Sequence, residues 1–290
     1  MTCHQSTKRL QREDWPRISE ILHFFFLLNM KIAIIGAGAM GGAIVDGLIK
    51  SGVVPLTDIR VANPSMGKLE RFAQLGISVT TDNKKAVKGA NLVIIAVKPW
   101  LVELVVKELK PVIDEAHQTF VTVAAGIKGS DFAAWLEKDG VVPQSFVIIP
   151  NTAIAVCASM TFIVPVHAID ASVGVVKALF NNMGRTLVTE ERLLDAGMML
   201  ASCGIAYAMR YVRAAAEGGV ELGFKADLAK EIVLQTMRGA VDLLQANGNH
   251  PEAEIDKVCT PGGVTIRGLN EMEHAGFTSA VIRGLKAGRK

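Results

Sequence analysis

The residues best suited to ligand chemistry lie in a short segment near the C-terminus, TPGGVT at residues 260–265. A Pro-Gly-Gly turn there runs directly into an amphipathic helical pattern, with Leu269 on its buried side and Gly276 at its end. A helix that begins on glycines presents backbone N–H groups and the positive end of its dipole to a ligand. Thr260 and Thr265 add hydroxyl groups at the same end. The segment predicts a site for a small carboxylate or phosphate; the alternative is a loop that only caps the helix.

A second segment with chemical potential follows the first predicted strand, where GAGAMG at residues 36–41 fits the pattern G-x-G-x-x-G. A strand before this pattern and a helix after it are the context of dinucleotide-binding turns. In such turns Gly36 would permit the tight bend, Gly38 would let the backbone approach a pyrophosphate, and Gly41 would let helix and strand pack closely. The alternative is an ordinary glycine-rich turn of another α/β protein.

The end of the second predicted strand bears on the choice of cofactor. NAD-preferring domains usually carry an Asp or Glu there, roughly 20 residues past the glycines, for the ribose 2′-hydroxyl. This chain has Asn63, Pro64 and Ser65 instead, with Lys68 one turn further on. Hydrogen-bond donors without a repelling carboxylate favour a 2′-phosphate. We therefore expect NADPH as the preferred cofactor and NADH as a weaker one.

Two further strand ends are rich in small residues, AVKP at residues 96–99 and AAG at residues 124–126. Small residues at the carboxyl ends of parallel strands line the crevice in which such sheets bind ligands. Lys98 is a candidate catalytic cation in this crevice, but we favour a role for its backbone over one for its ammonium group.

The elements that must position these segments divide the chain into two parts. Residues 30–189 alternate β-type runs with helical patterns, which predicts a Rossmann-type, doubly wound and mainly parallel α/β domain that binds NADP. Asn63, Asp82 and Ser130 are candidate helix N-caps in this part. The predicted strands are residues 31–35, 59–62, 77–80, 92–97, 120–124, 146–149 and 160–164.

Residues 190–290 contain helical patterns without strands, with long helices expected at residues 190–220 and 226–246. The first of these is apolar on nearly every side, and such a helix has to be buried. We therefore expect an all-α dimerisation and substrate domain, in an obligate homodimer or a larger assembly of dimers.

Residues 1–29 form a candidate extension before a functional start at Met30. Its apolar run at residues 21–28 is too short to span a bilayer. A signal peptide is the alternative, but no small-residue cleavage site follows the run. We expect the extension to be non-essential.

Composition excludes several classes of function. Hydrophobic residues make up 50% of the 290-residue chain and charged residues 20%, which is typical of a folded globular protein. The net charge of +3 is small, and no basic stripe is interleaved with aromatic residues, so we expect no nucleic-acid partner and no membrane partner. The four cysteines form no C-x-x-C pair and the six histidines are scattered, which favours a cytoplasmic protein with reduced thiols and without a metal.

Taken together, these segments resemble the pyrroline-5-carboxylate reductase family, over nearly the whole chain from Met30 onward. The resemblance rests on GAGAMGGAI, AVKP, AAG, PNT and HPEAEIDKVCTPGGVTIRGLNEMEHAGF, of which the last block is the most specific. It implies an oxidoreductase of proline biosynthesis that uses NADPH to reduce 1-pyrroline-5-carboxylate to L-proline. The reaction would be hydride transfer to the protonated cyclic imine, at an active site that lies at a dimer interface.

The resemblance also assigns residues to the site. Thr265 would lie closest to the ring nitrogen and act in catalysis, and the substrate carboxylate would be bound by Thr260, Gly262, Gly263, Val264 and Thr265. The family's cofactor contacts fall on Ile35, Gly36, Ala37, Gly38, Ala39, Met40, Asn63, Asn83, Ala96, Val97, Lys98, Pro99, Ala124 and Ala125.

Some residues depart from the family pattern. Val147 stands where Arg is usual, Ala153 where Pro is usual, and Thr260 where Ser is frequent. Ile205 replaces a proline of the long helix, which we expect to straighten that helix. Two alternatives stay open at this point: another NADP-linked imine or small keto-acid reductase of the 6-phosphogluconate dehydrogenase-like superfamily, and a non-catalytic NADP(H)-binding sensor.

Overall fold

The computed structural model describes residues 26–288, in two compact units that meet in sequence between Leu194 and Asp195. The first unit contains eight strands: β1 (Ile32–Ile35), β2 (Ile59–Ala62), β3 (Ser78–Thr80), β4 (Leu92–Ile95), β5 (Thr119–Thr122), β6 (Gln144–Ile149), β7 (Ser159–His167) and β8 (Gly184–Val188). They form one sheet in the order β3-β2-β1-β4-β5-β6-β7-β8. All neighbours pair in parallel except β6 and β7, which are antiparallel.

Helices cover both faces of this sheet. They are α1 (Ala39–Ser51), α2 (Glu70–Ala73), α3 (Asn83–Val87), α4 (Pro99–Leu109), α5 (Gly129–Leu136) and α6 (Asp170–Asn181). Successive side chains of a strand point to opposite faces: in β1, Ile32 and Ile34 belong to one core cluster, while Ala33 and Ile35 belong to the other. A central strand of a parallel sheet must be apolar on both faces, which explains the continuous apolar runs in the sequence.

The remaining helices follow one another along the C-terminal part of the chain. They are α7 (Leu194–Gly197), α8 (Gly204–Glu221), α9 (Ala226–Asn247), α10 (Pro251–Val258), α11 (Val264–His274) and α12 (Phe277–Ala287). Only two apolar side chains among the described residues of the second unit, Met199 and Ala229, are buried within the protomer. The predicted order, a doubly wound α/β part followed by an all-helical part, is confirmed.

The described chain begins with a helical turn at Phe26 and Leu27. Leu27 is 1% exposed and belongs to the core cluster on the α1 face of the sheet, whereas Phe26 is 50% exposed. Most of the predicted extension, residues 1–25, lies outside the described residues. Its described end therefore contributes one side chain to the core.

Two of the three predicted N-caps are wrong. Asp82 does cap α3, since its carboxylate accepts hydrogen bonds from the N–H groups of Lys84 and Lys85. Asn63 instead precedes a 3₁₀ turn at Met66–Lys68, and α2 begins only at Glu70. Ser130 is the second residue of α5, whose first N–H, that of Gly129, donates 2.9 Å to the carboxylate of Glu191.

The helix expected at residues 190–220 is not one regular helix. A 3₁₀ turn at Glu191–Leu193 leads into α7, and a π-helical stretch at Met198–Cys203 separates α7 from α8. Ile205 itself lies in the regular helix α8, after the π-helical stretch, which interrupts regular helical geometry, has ended at Cys203. The expectation that Ile205 straightens this helix stays a prediction. Strand β8 was missed, because its residues are mostly exposed and give a weak apolar signal.

Candidate functional site

The glycine-rich turn between β1 and α1 is fixed by close backbone contacts. Gly36 has a φ of +104°, and a Cβ there would lie 2.6 Å from the carbonyl oxygen of Ala96. A Cβ on Gly41 would lie 1.9 Å from the carbonyl oxygen of Gly36. Gly38 differs from both, because no atom lies within 4 Å of the position of its Cβ. The turn thus leaves open space at the N-terminus of α1, where an anion is favoured.

A cavity of about 350 Å³ opens beside this turn. The glycine-rich turn forms one part of its wall, through residues 37–39 and Gly42, and Lys68 lies on the wall as well. Asp46 and Arg71 also line it, and they form a salt bridge of 2.8 Å between Oδ1 and Nη1. The cavity therefore combines backbone that suits a phosphate with two cationic side chains and one carboxylate.

The side chain of Asn63 stabilises the glycine-rich turn through two hydrogen bonds. Its Oδ1 accepts a hydrogen bond of 3.1 Å from the backbone N–H of Ala37, and its Nδ2 donates one of 3.1 Å to the carbonyl oxygen of Ser65. The residue is 8% exposed. Since both ends of the amide are engaged within the protein, Asn63 fixes the turn at this edge of the sheet. The cationic side chains that line the cavity are those of Lys68 and Arg71.

The other predicted cofactor residues lie at the same edge of the sheet. Ile35 of β1 pairs with Ile95 of β4, and Ile95 pairs with Thr122 of β5, so residues 96–99 and 124–125 leave neighbouring strands at one level. Lys98 precedes Pro99 at the start of α4, and its side chain is exposed. Asn83 opens α3 after the edge strand β3, and its Nδ2 donates a 2.9 Å hydrogen bond to Oε2 of Glu108.

The predicted carboxylate-binding residues form one tight turn in the second unit. The N–H of Gly263 donates 2.9 Å to the carbonyl oxygen of Thr260, and Gly262 has a φ of +69°. A Cβ on Gly263 would lie 2.5 Å from Oγ1 of Thr260. Helix α11 starts at Val264 directly after this turn, without a side-chain cap. Its first N–H groups have no acceptor within the helix, so they are directed at whatever binds there.

A carboxylate network supports the helix that leads into this turn. Oε1 of Glu254 in α10 accepts hydrogen bonds from Lys257 Nζ at 2.7 Å, Asn249 Nδ2 at 2.7 Å and Asn247 Nδ2 at 3.1 Å. These donors, Lys257 first, lower the pKa of Glu254 to about 2. The network joins the end of α9 to α10, two elements that precede the Thr260 turn in the chain.

Sequence reasoning missed Asp46, Arg71 and Glu254. Arg71 follows Lys68 by three residues, a spacing that places two side chains on one side of a helical turn. This spacing is the sequence feature that could have identified Arg71 as a second cation of the site. Asp46 and Glu254 acquire their roles from partners that the sequence does not identify.

Within residues 26–288, no three His, Cys, Asp or Glu side chains are grouped so that they could hold a metal ion. Over the same residues, no helix combines the length and hydrophobicity of a membrane span.

The chain is similar to known proteins over most of its length. Residues 191–290 match the family described as "Pyrroline-5-carboxylate reductase dimerisation", and residues 31–126 match the one described as "NADP oxidoreductase coenzyme F420-dependent". Pyrroline-5-carboxylate reductase 2 of Dictyostelium discoideum is 35% identical over 89% of this chain and 90% of its own length. Pyrroline-5-carboxylate reductase 1 of the same organism is 38% identical, and the chain spans about half of its length, 48%.

A solved structure shares the fold. The pyrroline carboxylate reductase of Plasmodium falciparum, crystallised with NADP bound, superimposes with a TM-score of 0.82 over 90% of this chain and 96% of that one. The two sequences are 21% identical, so this comparison bears on the fold alone.

Proposed function

Since this chain belongs to the pyrroline-5-carboxylate reductase family, we propose that it reduces 1-pyrroline-5-carboxylate to L-proline with NADPH. The observation that carries the proposal is the Thr260–Gly263 turn at the start of α11. It lies in the part of the chain that matches the family's dimerisation region. The turn and the first residues of α11 together offer backbone N–H groups and the hydroxyls of Thr260 and Thr265 to a small carboxylate. The glycine-rich turn of the first unit offers the complementary phosphate site.

The protein's part in the reaction is to bind and orient. When bound, NADPH supplies a hydride to the imine carbon. The N–H groups at the start of α11, with Thr260, Gly262 and Gly263, hold the substrate carboxylate, and Thr265 places its hydroxyl near the ring nitrogen. Because the imine enters already protonated at its ring nitrogen, the hydride that adds to the carbon neutralises the positive charge, and no protein acid is needed at the nitrogen. Positioning of the two reactants accounts for the rate.

The preference for NADPH over NADH belongs to the same proposal. No carboxylate follows β2 at residues 63–65, and Lys68 lies on the wall of the cavity beside the glycine-rich turn. A cation and an N–H-rich turn favour an additional phosphate. The residues proposed to contact the cofactor are Ile35, Gly36, Ala37, Gly38, Ala39, Met40, Asn63, Asn83, Ala96, Val97, Lys98, Pro99, Ala124 and Ala125.

A homodimer built through the helical domain is also proposed. Leu228, Ile232 and Val241 of α9 are 47%, 42% and 48% exposed in the protomer. A helical unit with so little buried apolar surface of its own gains stability by packing against a second copy. Light scattering in dilute solution tests this, and a monomeric mass would contradict it.

The location proposed is the cytosol. The four cysteines lie far apart in the sequence and form no C-x-x-C pair, a pattern that suits reduced thiols in a reducing compartment.

The activity is tested by NADPH oxidation on addition of 1-pyrroline-5-carboxylate, compared with simple keto acids. We expect turnover with the imine and little with keto acids. Turnover with keto acids alone would favour another reductase of the superfamily. Tight NADPH binding without any turnover would favour a sensor.

Thr265→Ala tests the proposed catalytic role, with Thr265→Ser as the matched variant that keeps the hydroxyl. Loss of one positioned hydrogen-bonding group that acts in the transition state costs about 100- to 1000-fold in kcat. We expect that loss for Thr265→Ala, near-normal turnover for Thr265→Ser, and unchanged NADPH binding for both. Near-normal turnover of Thr265→Ala would exclude the role.

A further inference from the structure

The cavity beside the glycine-rich turn contains a charge pair with no part in the proposed reaction. Arg71 donates two parallel hydrogen bonds to Asp46, of 2.8 Å from Nη1 to Oδ1 and 3.0 Å from Nη2 to Oδ2. Asp46 lies in α1 and Arg71 in α2, so the pair joins the two helices that follow β1 and β2. Both side chains line the cavity, together with Lys68.

The guanidinium group of Arg71 is held in place on two further sides. Its Cζ lies 4.1 Å from the centroid of the Phe72 ring, which is fully buried. Its Nη2 lies 3.0 Å from the position that a Cβ on Gly42 would take, so the absence of a side chain at Gly42 makes room for it. The cation is thus placed beside the first turns of α1, within the cavity that the glycine-rich turn opens.

Another anion can readily replace Asp46 as the partner of Arg71. The side chain of Arg71 is 56% exposed and that of Asp46 is 33% exposed. An exposed pair of this kind contributes about 0–1 kcal/mol. A phosphate accepts two parallel hydrogen bonds from a guanidinium, as a carboxylate does, and carries a larger negative charge. A phosphate that enters the cavity therefore competes with Asp46 for Arg71.

We infer that Arg71 binds the 2′-phosphate of the cofactor, and that Asp46 limits the affinity for this phosphate by holding Arg71 in a competing ion pair. The inference rests on the proposed function only for the identity of its ligand. It adds Arg71 and Asp46 to Lys68 among the residues that set the ratio of NADPH to NADH affinity. Asp46 differs in its action from the Asp or Glu that NAD-preferring domains carry at the end of β2. That acid binds the ribose 2′-hydroxyl, whereas Asp46 acts on Arg71.

The test measures binding of 2′-AMP and of AMP by calorimetry, without turnover. Arg71→Gln should weaken 2′-AMP binding by about 10- to 150-fold, the loss of a charge-assisted hydrogen-bonding partner, and leave AMP binding unchanged. Asp46→Asn should strengthen 2′-AMP binding by up to about 5-fold, the value of an exposed ion pair, again without an effect on AMP. Lys50→Gln, in the last turn of α1 and away from this cavity, is the matched control and should change neither.

The double variant decides how Asp46 acts. If Asp46 competes for Arg71, then Asp46→Asn has no effect on 2′-AMP binding once Arg71→Gln is present. A full effect of Asp46→Asn in that background would show direct repulsion of the phosphate and overturn the competition. Equal losses of 2′-AMP and AMP binding in Arg71→Gln would overturn the assignment of Arg71. Because no step depends on turnover, failure of the imine-reduction assay and failure of this inference are separate results.

Discussion

The substitution Gly38→Ala should change the affinity for the cofactor without lowering the stability of the fold. Gly38 is the N-cap of α1 with a φ of −74°, a value that alanine adopts without strain, and no atom lies within 4 Å of its Cβ position. The protein itself therefore tolerates the methyl group. If a pyrophosphate lies against this turn, the same methyl group occupies the space through which the phosphate approaches the backbone.

The expected magnitudes follow from these contacts. Replacing glycine where alanine fits stabilises a protein by about 0.4–1 kcal/mol, because the unfolded chain loses freedom. In contrast, displacing the pyrophosphate from one backbone N–H group removes a hydrogen bond to a charged group, worth about 1.5–3 kcal/mol. The dissociation constant for NADPH should therefore rise by roughly 10- to 150-fold, while the melting temperature stays equal or rises slightly.

Calorimetric titration with NADPH and thermal unfolding of the same samples measure both effects. Gly41→Ala is the contrasting variant, because its Cβ would lie 1.9 Å from the carbonyl oxygen of Gly36 and should lower the melting temperature itself. An unchanged affinity of Gly38→Ala for NADPH would refute the placement of the pyrophosphate on this turn.

Three further outcomes test other parts of the structure. Gly262→Ala forces a φ of +69° on an alanine, a strain of about 1–2 kcal/mol. We expect KM for the imine to rise by about 5- to 30-fold, the equivalent of that strain, while the affinity for NADPH stays unchanged. An equal loss of affinity for the imine and for NADPH would contradict a local effect. Leu27→Ala should cost about 2–5 kcal/mol in urea unfolding, against about 0.5 kcal/mol or less for the exposed Phe26→Ala; equal costs would remove Leu27 from the core. Because the pKa of Glu254 is lowered from 4.5 to about 2, its stabilising effect is present above pH 4.5 and is lost as pH falls toward 2. The difference in melting temperature between wild type and Glu254→Gln should thus shrink below pH 4.5, and a difference independent of pH would refute the network.

The sheet could be predicted from the sequence because its signal is local. Strands β1 and β4, at the centre of the parallel part of the sheet, are short runs of apolar residues only, IAII and LVII. The N-caps at Asn63 and Ser130 failed for the opposite reason. The amide of Asn63 is taken by Ala37, and the first N–H of α5 is satisfied by Glu191, a residue 62 positions away from Gly129. A side chain that has a distant partner does not follow its local preference.

The candidate site shows the same difference between residues with a local sequence signal and residues whose role depends on a distant partner. The glycine-rich turn and the Thr260 turn are backbone sites, and glycine marks them in the sequence because other residues cannot take a φ of +104° at Gly36 or +69° at Gly262 without strain. The pair of Arg71 and Asp46 has no such mark, since either residue alone is an ordinary surface charge. Sequence therefore reveals where this protein can hold a phosphate or a carboxylate. How strongly it prefers one cofactor depends on side chains that only the fold brings together.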